Sequence, residues 1–441
     1  MENFIRKQVF NLLLVGFLFL LASSCDKKKD DNQPPPDTHC KTLHPIIFIH
    51  GFLASGDTWA NQVMRFQSNS YCNNLLYAYD WNSVGGNTDQ LLLDAFIDTV
   101  LARTGATQVD LVGHSAGGGY GYAYCEDTTR AKKVAHYVHI GSSSQPSKAG
   151  LADEVPTLNI SSAGDAVAGV TSIGGAVNIE LQDRDHYQVA TSKEAFVEMF
   201  KFFNTGMAPV NNNVISETEI SVSGRALTLG ENSPHSGATV RIFEVNPING
   251  LRLRADADYT LAANANGVWG PQKIKVNTKY EFEVNSNAAG DRVIHYYREG
   301  FTHSNPLVYL RTIPTSGLAG TLLAGLSKND NQSVLAVFTA NQATVAGRDS
   351  LHINAIEFST TAITPAANTI IALFLFDANN NQQSDFTTPG LFGVLNTFLT
   401  ARDVYFQTNT VSSISLRFNG RNLQVPNLKS ESDGVIVAVF D

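Results

Sequence analysis

The sequence predicts a mostly parallel sheet flanked by helices, followed by all-β domains of sandwich or barrel type. Three observations carry that prediction. Between Pro45 and Phe203, short apolar runs alternate with segments of helical period, the pattern of βαβ units. A glycine-bracketed serine, Gly113-His114-Ser115-Ala116-Gly117, stands between one apolar run and a Gly-rich helical stretch. After Gly206–Asn213 the helical period stops, and strand-like runs recur between Gly, Asn and Pro residues.

From the N-terminus, residues 1–25 read as an export signal. Arg6 and Lys7 supply a positive start, and an apolar run from Leu12 to Ala22 ends at Ser23-Ser24-Cys25. That run is too short to span a hydrocarbon layer of about 30 Å. Two readings stand: an ordinary cleaved signal, or a bacterial lipoprotein, since Leu21-Ala22-Ser23-Ser24-Cys25 resembles a lipobox with Cys25 acylated. The second implies a membrane anchor on the outer membrane or surface of a Gram-negative cell; the first implies secretion. Residues 26–37 are charged and proline-rich, Asp26-Lys27-Lys28-Lys29-Asp30-Asp31 and then Pro34-Pro35-Pro36, a tether that cannot pack.

Residues 38–207 hold the α/β region. Its expected strands are Ile46–Ile49, Leu75–Tyr79, Val109–Val112, Val134–Ile140, Thr157–Ser161 and Val177–Leu181. Its last helix carries Phe196, Met199, Phe200 and Phe203, and Thr191 with Glu194 spells a capping box before it. The β region is expected as two units, 213–314 and 315–441, with no convincing long helix. Its expected strands are Val240–Val245, Tyr280–Val284, Val334–Phe338, Ile370–Phe376, Ile414–Phe418 and Val435–Phe440.

Composition narrows the function classes. The chain has 441 residues, 43% hydrophobic and 16% charged, so it is not a disordered chain, and its length allows two or three domains. A net charge of −9 with no basic face argues against nucleic acid as a partner. Four cysteines are too few for a disulfide scaffold. Cys40 and Cys72 each precede an expected strand and pair if those strands are neighbours. Cys125 reads as a buried thiol.

A serine on a sharp strand-to-helix turn has a strained backbone, and the residues two before and two after it must be small; Gly113 and Gly117 meet that need. Such a serine takes its partners in the chain order serine, acid, histidine. After Ser115 the α/β region offers His136, His139 and His186. The first two lie inside an expected strand and read as structural. His186 lies in the polar loop Asp183-Arg184-Asp185-His186-Tyr187 and is the expected base. Asp165, in a loop after a strand, is the expected acid, with Asp153, Asp183 and Asp185 as competitors. For the oxyanion, the expected donors are the backbone N–H groups of Phe52 and Ala116. His50 and Gly51 form the supporting turn on one side, and Gly113, His114 and Gly117 on the other. His50 has no Cys or His at metal spacing.

These elements resemble the α/β-hydrolase lipases and esterases. They are most similar to two-domain bacterial and archaeal lipases whose C-terminal β-domain is thought to help bind lipid. The resemblance extends over most of 45–441 and includes Val189 to Phe203, Ile294-His295-Tyr296-Tyr297-Arg298, and Phe376-Asp377 with its Asn-rich loop. Residues 219–285 also look like carboxypeptidase-regulatory-type β-sandwich repeats. The resemblance implies an acyl-enzyme on Ser115, an ester or lipid substrate, and no cofactor. Some members place the acid after the strand that corresponds to Val134–Ile140, where this chain has Ile140-Gly141-Ser142; Asp165 is the acid that remains. Only Trp81 to Thr88 fills the place of the helical lid found in some members. Phe52, Leu53, Trp59 and Trp81 are apolar residues that would suit an acyl chain and could equally be core. The alternative functions are a non-catalytic lipoprotein that binds lipid or polysaccharide, and a thioesterase or peptidase on the same fold. Asp377, Asn379, Asn381 and Asp385 hint at a calcium loop but lack its sixth-position Gly and twelfth-position Glu, so a metal-free hairpin turn is the expectation.

Overall fold

The strands of residues 43–203 send alternate apolar side chains to the two faces of one sheet. A computed structural model describes residues 39–85, 88–313, 315–393, 397–408 and 412–441; the export signal, Cys25 and the tether lie outside these. His39–Thr42 is a 3-10 turn, and residues 43–441 form a separate unit. No described helix is long and apolar enough to cross a membrane. Cys40 and Cys72 are each disulfide-bonded, and Cys125 is free and buried.

Strands β1 (Ile46–Ile49), β2 (Leu76–Tyr79), β3 (Val109–His114), β4 (Val134–Ile140), β5 (Thr157–Ser162) and β6 (Val177–Leu181) form a parallel sheet in the order β2-β1-β3-β4-β5-β6. Its main helices are α1 (Ala60–Gln67), α2 (Gln90–Thr104), α3 (Ala116–Cys125) and α4 (Lys193–Phe203). Ile46 and Phe48 point to one face, where Val63 and Phe66 of α1 and Phe196 and Met199 of α4 cover them. Ile47 and Ile49 point to the other, against Leu93, Ile97 and Val100 of α2 and Tyr120 and Tyr124 of α3. With both faces covered, each strand reads as an unbroken apolar run. The chain steps outward from β1 to β2 and then crosses back to β3. Connections therefore diverge between β1 and β3, and the crevice at their carboxyl ends is where such sheets bind ligands.

The helix ends have local causes. Asp89 caps α2 by accepting from the Leu91 N–H, and Gly105, at φ 72°, ends it. For α4 the cap is Ser192, which accepts from the Ala195 N–H, one residue after the Thr191 expected from the sequence. Thr191 instead closes the turn Gln188–Thr191 and donates its hydroxyl to the carbonyl of Tyr187 at 3.0 Å. Glu194 pairs with Arg184 at 3.2 Å.

In the β region the strands are β7 (Ile220–Thr228), β8 (Thr239–Glu244), β9 (Tyr259–Ala262), β10 (Val268–Ile274), β11 (Tyr280–Asn285), β12 (Ile294–Arg298) and β13 (Leu310–Thr312). There follow α5 (Gly317–Leu323), β14 (Leu335–Thr339), β15 (Leu351–Ile353), β16 (Ile356–Glu357), β17 (Ala372–Phe376), β18 (Leu399–Asp403), β19 (Ser413–Phe418), β20 (Arg421–Pro426) and β21 (Val435–Phe440). The sequence pattern did not show α5, which is only seven residues long. An eight-stranded sheet, β18-β17-β14-β21-β12-β11-β8-β9, draws on both segments. The segments join where the last strand, β21, lies parallel to β12, with Ile294 opposite Val435 and Arg298 opposite Val439. The expected boundary near 314–320 is thus a break in sequence that the sheet crosses. Smaller sheets cover both faces: β10-β7-β13 with Val222, Trp269 and Leu310, and β16-β15-β19-β20 with Leu351, Leu416 and Val425. This explains why β17 (Ala-Leu-Phe-Leu-Phe) and β21 (Val-Ile-Val-Ala-Val-Phe) are apolar throughout.

Candidate active site

Ser115 leaves the end of β3 with φ 55° and ψ −124°, a conformation that costs a non-glycine residue about 1–3 kcal/mol. Its neighbours show why they must be small. A Cβ on Gly113 would lie 2.4 Å from the Gly117 carbonyl oxygen, and one on Gly117 would lie 2.4 Å from that of His50. A Cβ on Gly51 would lie 2.9 Å from the Ser115 Cβ. These glycines let the turn after β1 press against the turn after β3. The hydroxyl of Ser115 projects at the N-terminus of α3, where free N–H groups and the helix dipole favour negative charge.

His186 and Asp165 meet Ser115 from β6 and β5. The His186 Nε2 is 2.9 Å from the Ser115 Oγ, and its Nδ1 is 2.8 and 3.0 Å from the two Asp165 oxygens. Asp165 and His186 are 3% and 2% exposed, so water cannot substitute for either contact. The N–H groups of Val167 and Ala168 donate to Asp165 Oδ1 at 2.8 and 2.9 Å. Burial alone would raise the Asp165 carboxyl, but these bonds and the one from His186 outweigh it and hold the group below the usual carboxylate range. The arrangement fixes the proton on Nδ1 and leaves Nε2 as the acceptor facing the serine.

His114 sits behind this chain. Its Nε2 donates to the His186 carbonyl at 2.7 Å, and the two rings are 4.7 Å apart. Burial, reinforced by His186, pushes its pKa down to about 3, so it stays neutral. The competing acids lie elsewhere: Asp153 and Asp183 are exposed, and Asp185 pairs with Arg348 at 2.7 Å. His136 pairs with Asp110 at 2.7 Å, and His139 is held by Tyr137 and the Ser143 carbonyl at 2.8 and 2.9 Å.

On the other side of Ser115, the turn after β1 is fixed through His50. Its Nδ1 donates to the Gly51 carbonyl at 2.8 Å, and its Nε2 accepts from the Trp81 N–H at 3.2 Å. The Trp81 indole N–H donates to the His50 carbonyl at 2.9 Å. Trp81 is therefore a brace for the turn, and Trp59 packs on Phe48 in the core; neither is free to line an acyl site. The N–H groups of Phe52 and Ala116 donate to no protein acceptor among the described residues.

The sequence reading missed a residue from the far half of the chain. The amide nitrogen of Asn232 donates to the carbonyls of Ala54 and Trp81 at 2.9 and 3.0 Å and reaches His50 Nε2 at 3.3 Å. Its oxygen accepts from the Ser55 hydroxyl at 2.6 Å. Asn232 is buried at φ 57°, a conformation asparagine tolerates better than most residues, and that tolerance is the only local signal it gave.

The β half also supplies walls. The Phe398 ring stacks on His186 at 6.1 Å and lies 6.4 Å from Phe52. Arg311 pairs with Asp57 and donates to Ser55 Oγ at 3.1 Å; Tyr309 donates to Asp80 at 2.8 Å. Beside Phe52 lies a cavity of about 90 Å³, walled by Phe52, Leu53, Leu322, Leu323, Ile371 and Leu399. Asp377, Asn379, Asn381 and Asp385 stand apart from the serine, on the loop that follows β17.

Three family models match the chain. Residues 44–250 match the family model of the alpha/beta hydrolase fold, residues 218–314 match the lipase C-terminal domain, and residues 326–441 match a further C-terminal domain. Residues 44–250 have the α/β-hydrolase fold. The matches to the alpha/beta hydrolase fold and to the lipase C-terminal domain make the chain similar to lipases and esterases. It is 40% identical over 92 residues to triacylglycerol lipases of Pseudarthrobacter phenanthrenivorans and Burkholderia plantarii, a stretch that is 19% of this chain. The chain spans only 28% and 25% of the length of these relatives. Among solved structures, the Bacillus licheniformis lipase BlEst2 matches at 13% identity, over 39% of this chain and 95% of its own, with a TM-score of 0.31. The Bacillus subtilis carboxylesterase CesB matches at 12% identity, over 37% of this chain and 85% of its own, with a TM-score of 0.29.

Proposed function

We propose that the chain hydrolyses carboxylic esters through an acyl-enzyme on Ser115. One observation carries this reading: the buried line Asp165–His186–Ser115, with both histidine nitrogens at hydrogen-bond distance from their partners. The serine Oγ attacks the ester carbonyl while His186 Nε2 takes its proton. Asp165 keeps the ring in that tautomer and stabilises the imidazolium. The carbonyl oxygen gains negative charge where the N–H groups of Phe52 and Ala116 point, two preorganised donors. His186 returns the proton to the leaving alcohol, then activates the water that releases the acid. No step requires a cofactor.

The apolar cavity beside Phe52 takes the acyl chain in this reading. At about 90 Å³ it is smaller than the roughly 150 Å³ cavity that accommodates a benzene ring, so short acyl groups fit best. Chromogenic esters of increasing acyl length test this, with Ser115→Ala alongside. The expected profile peaks at short chains and vanishes in the variant. Activity confined to thioesters or peptides, or binding without turnover, would move the alternatives forward. The reading places the enzyme outside the cytoplasm, anchored by a lipid on Cys25; incorporation of labelled palmitate that Cys25→Ala abolishes is the corresponding test.

A further inference from the structure

The loop after β17 runs Asp377-Ala378-Asn379-Asn380-Asn381-Gln382-Gln383-Ser384-Asp385, with oxygen-bearing side chains at its first, third, fifth and ninth positions. Twelve-residue calcium loops draw ligands from those positions, add the seventh carbonyl, turn sharply at a sixth-position glycine and close with a glutamate at the twelfth. This loop has Gln382 sixth and Thr388 twelfth, which is why the sequence favoured a metal-free turn. The structure supplies both missing features. Gln382 adopts φ 61°, the left-handed conformation that glycine would provide. The closing carboxylate comes from the neighbouring strand: β18 lies parallel to β17 with Asp403 opposite Phe376, which brings Asp403 to the foot of the loop.

Asp403 is the observation that points to a ligand. It is 2% exposed, and its Oδ1 has no hydrogen-bond partner among the described residues. Asp377 is 1% exposed, and no ion pair of the described residues includes Asp377, Asp385 or Asp403. Two buried carboxylates, Asp377 and Asp403, with no cationic side chain paired to either are costly, and a cation would offset that cost. The loop is otherwise organised: Asn381 and Gln382 donate their N–H groups to the two Asp377 oxygens at 3.2 and 2.8 Å. The amide nitrogens of Asn379 and Asn381 hold Asp385 at 2.8 and 2.9 Å, two bonds that an ion would replace.

We propose that Asp377, Asn379, Asn381, Asp385 and Asp403 bind a calcium ion. The donors are all oxygens, which select a hard cation. Five side chains with the Gln383 carbonyl give six or more ligands, the number calcium takes from protein where magnesium keeps its waters. The chain that leaves this loop leads to Phe398, which lies on His186, so the ion fastens the connection that carries this wall of the active site.

Calorimetric titration of the chelator-treated full chain with calcium chloride tests this, with magnesium chloride in parallel and melting followed by circular dichroism. The expected result is one calcium per chain and a midpoint raised by about 2 °C or more at calcium a hundredfold above its Kd. Magnesium should do less. Asp385→Asn alters only an exposed carboxylate, so it should melt like the parent in chelator and bind calcium at least about tenfold more weakly. Asp403→Asn removes the uncompensated buried charge; it should melt in chelator at or above the parent midpoint and lose the response to calcium. No calcium binding by the parent, undiminished binding by both variants, or an equal response to the two ions would overturn the proposal.

Discussion

In the proposed reaction the α/β half holds the groups that react, and each is fixed by contacts close at hand; the β half holds the surfaces around them, and those contacts span long stretches of chain. Ser115, Asp165 and His186 stand at the ends of β3, β5 and β6 and are aligned by one another, by His114 and by backbone N–H groups of residues 167–168. The turn that bears the Phe52 N–H is different. Within the α/β half it is braced by Trp81, but Asn232, at the start of the β half, ties Ala54, Ser55 and Trp81 together. The wall over His186 is Phe398. The proposed proton chemistry therefore belongs to one half, whereas the proposed oxyanion turn and substrate wall depend on both.

Substitutions can break or sharpen that contrast. The largest loss is expected for Ser115→Ala, about 10⁴-fold or more in kcat on a soluble ester. Asp165→Asn should cost about 10³–10⁴-fold in kcat with unchanged folding by circular dichroism, because the wrong histidine tautomer then faces the serine. Asn232→Ala probes the shared part: kcat should fall about 10–100-fold while KM for a short ester changes little. If Asn232→Ala matches the parent, the α/β half alone holds the oxyanion turn and the contrast is stronger than drawn here. Leu322→Phe fills the cavity from the β side and should shift the acyl-length optimum downward, lowering kcat/KM for longer esters relative to acetate by about tenfold.

The smallest effect concerns pH. His114 is neutral when folded, with a pKa held down to about 3 by burial, while the unfolded chain takes up that proton near 6.5. The unfolded state therefore binds more protons between those values, and stability rises with pH across the window. The contribution of His114 is complete above about 6.5 and declines as pH falls toward about 3. Melting curves from pH 7 to 4 should show that decline, and His114→Gln should flatten it.

How much of this was legible depended on contact range. β1, β4 and β6 could be read to their end residues because apolar runs bounded by polar turns need only local information. That Ser115, Asp165 and His186 would meet was legible because a serine elbow fixes chain order, and few histidines follow it. Asn232 was not: an asparagine between Glu231 and Ser233 carries no mark of a partner almost two hundred residues away. Phe398 and Leu322 gave no signal for the same reason. The eight-stranded sheet was hidden because β12 and β21 pair across the break expected between two units. Trp59 and Trp81 could be read as lining or as core, since large apolar residues near a site read alike whether they line it or support it; the structure makes them support.

The most direct test of the central claim is covalent capture of the nucleophile. The chain is mixed with a chromogenic alkyl phosphonate ester, and the adduct is located by mass spectrometry of its peptides. A single phosphonyl group is expected on Ser115, formed in step with the loss of any ester hydrolysis, slowed in Asp165→Asn and absent in Ser115→Ala. Ester hydrolysis that continues with Ser115 unmodified, or an adduct on another residue that abolishes activity, would contradict it.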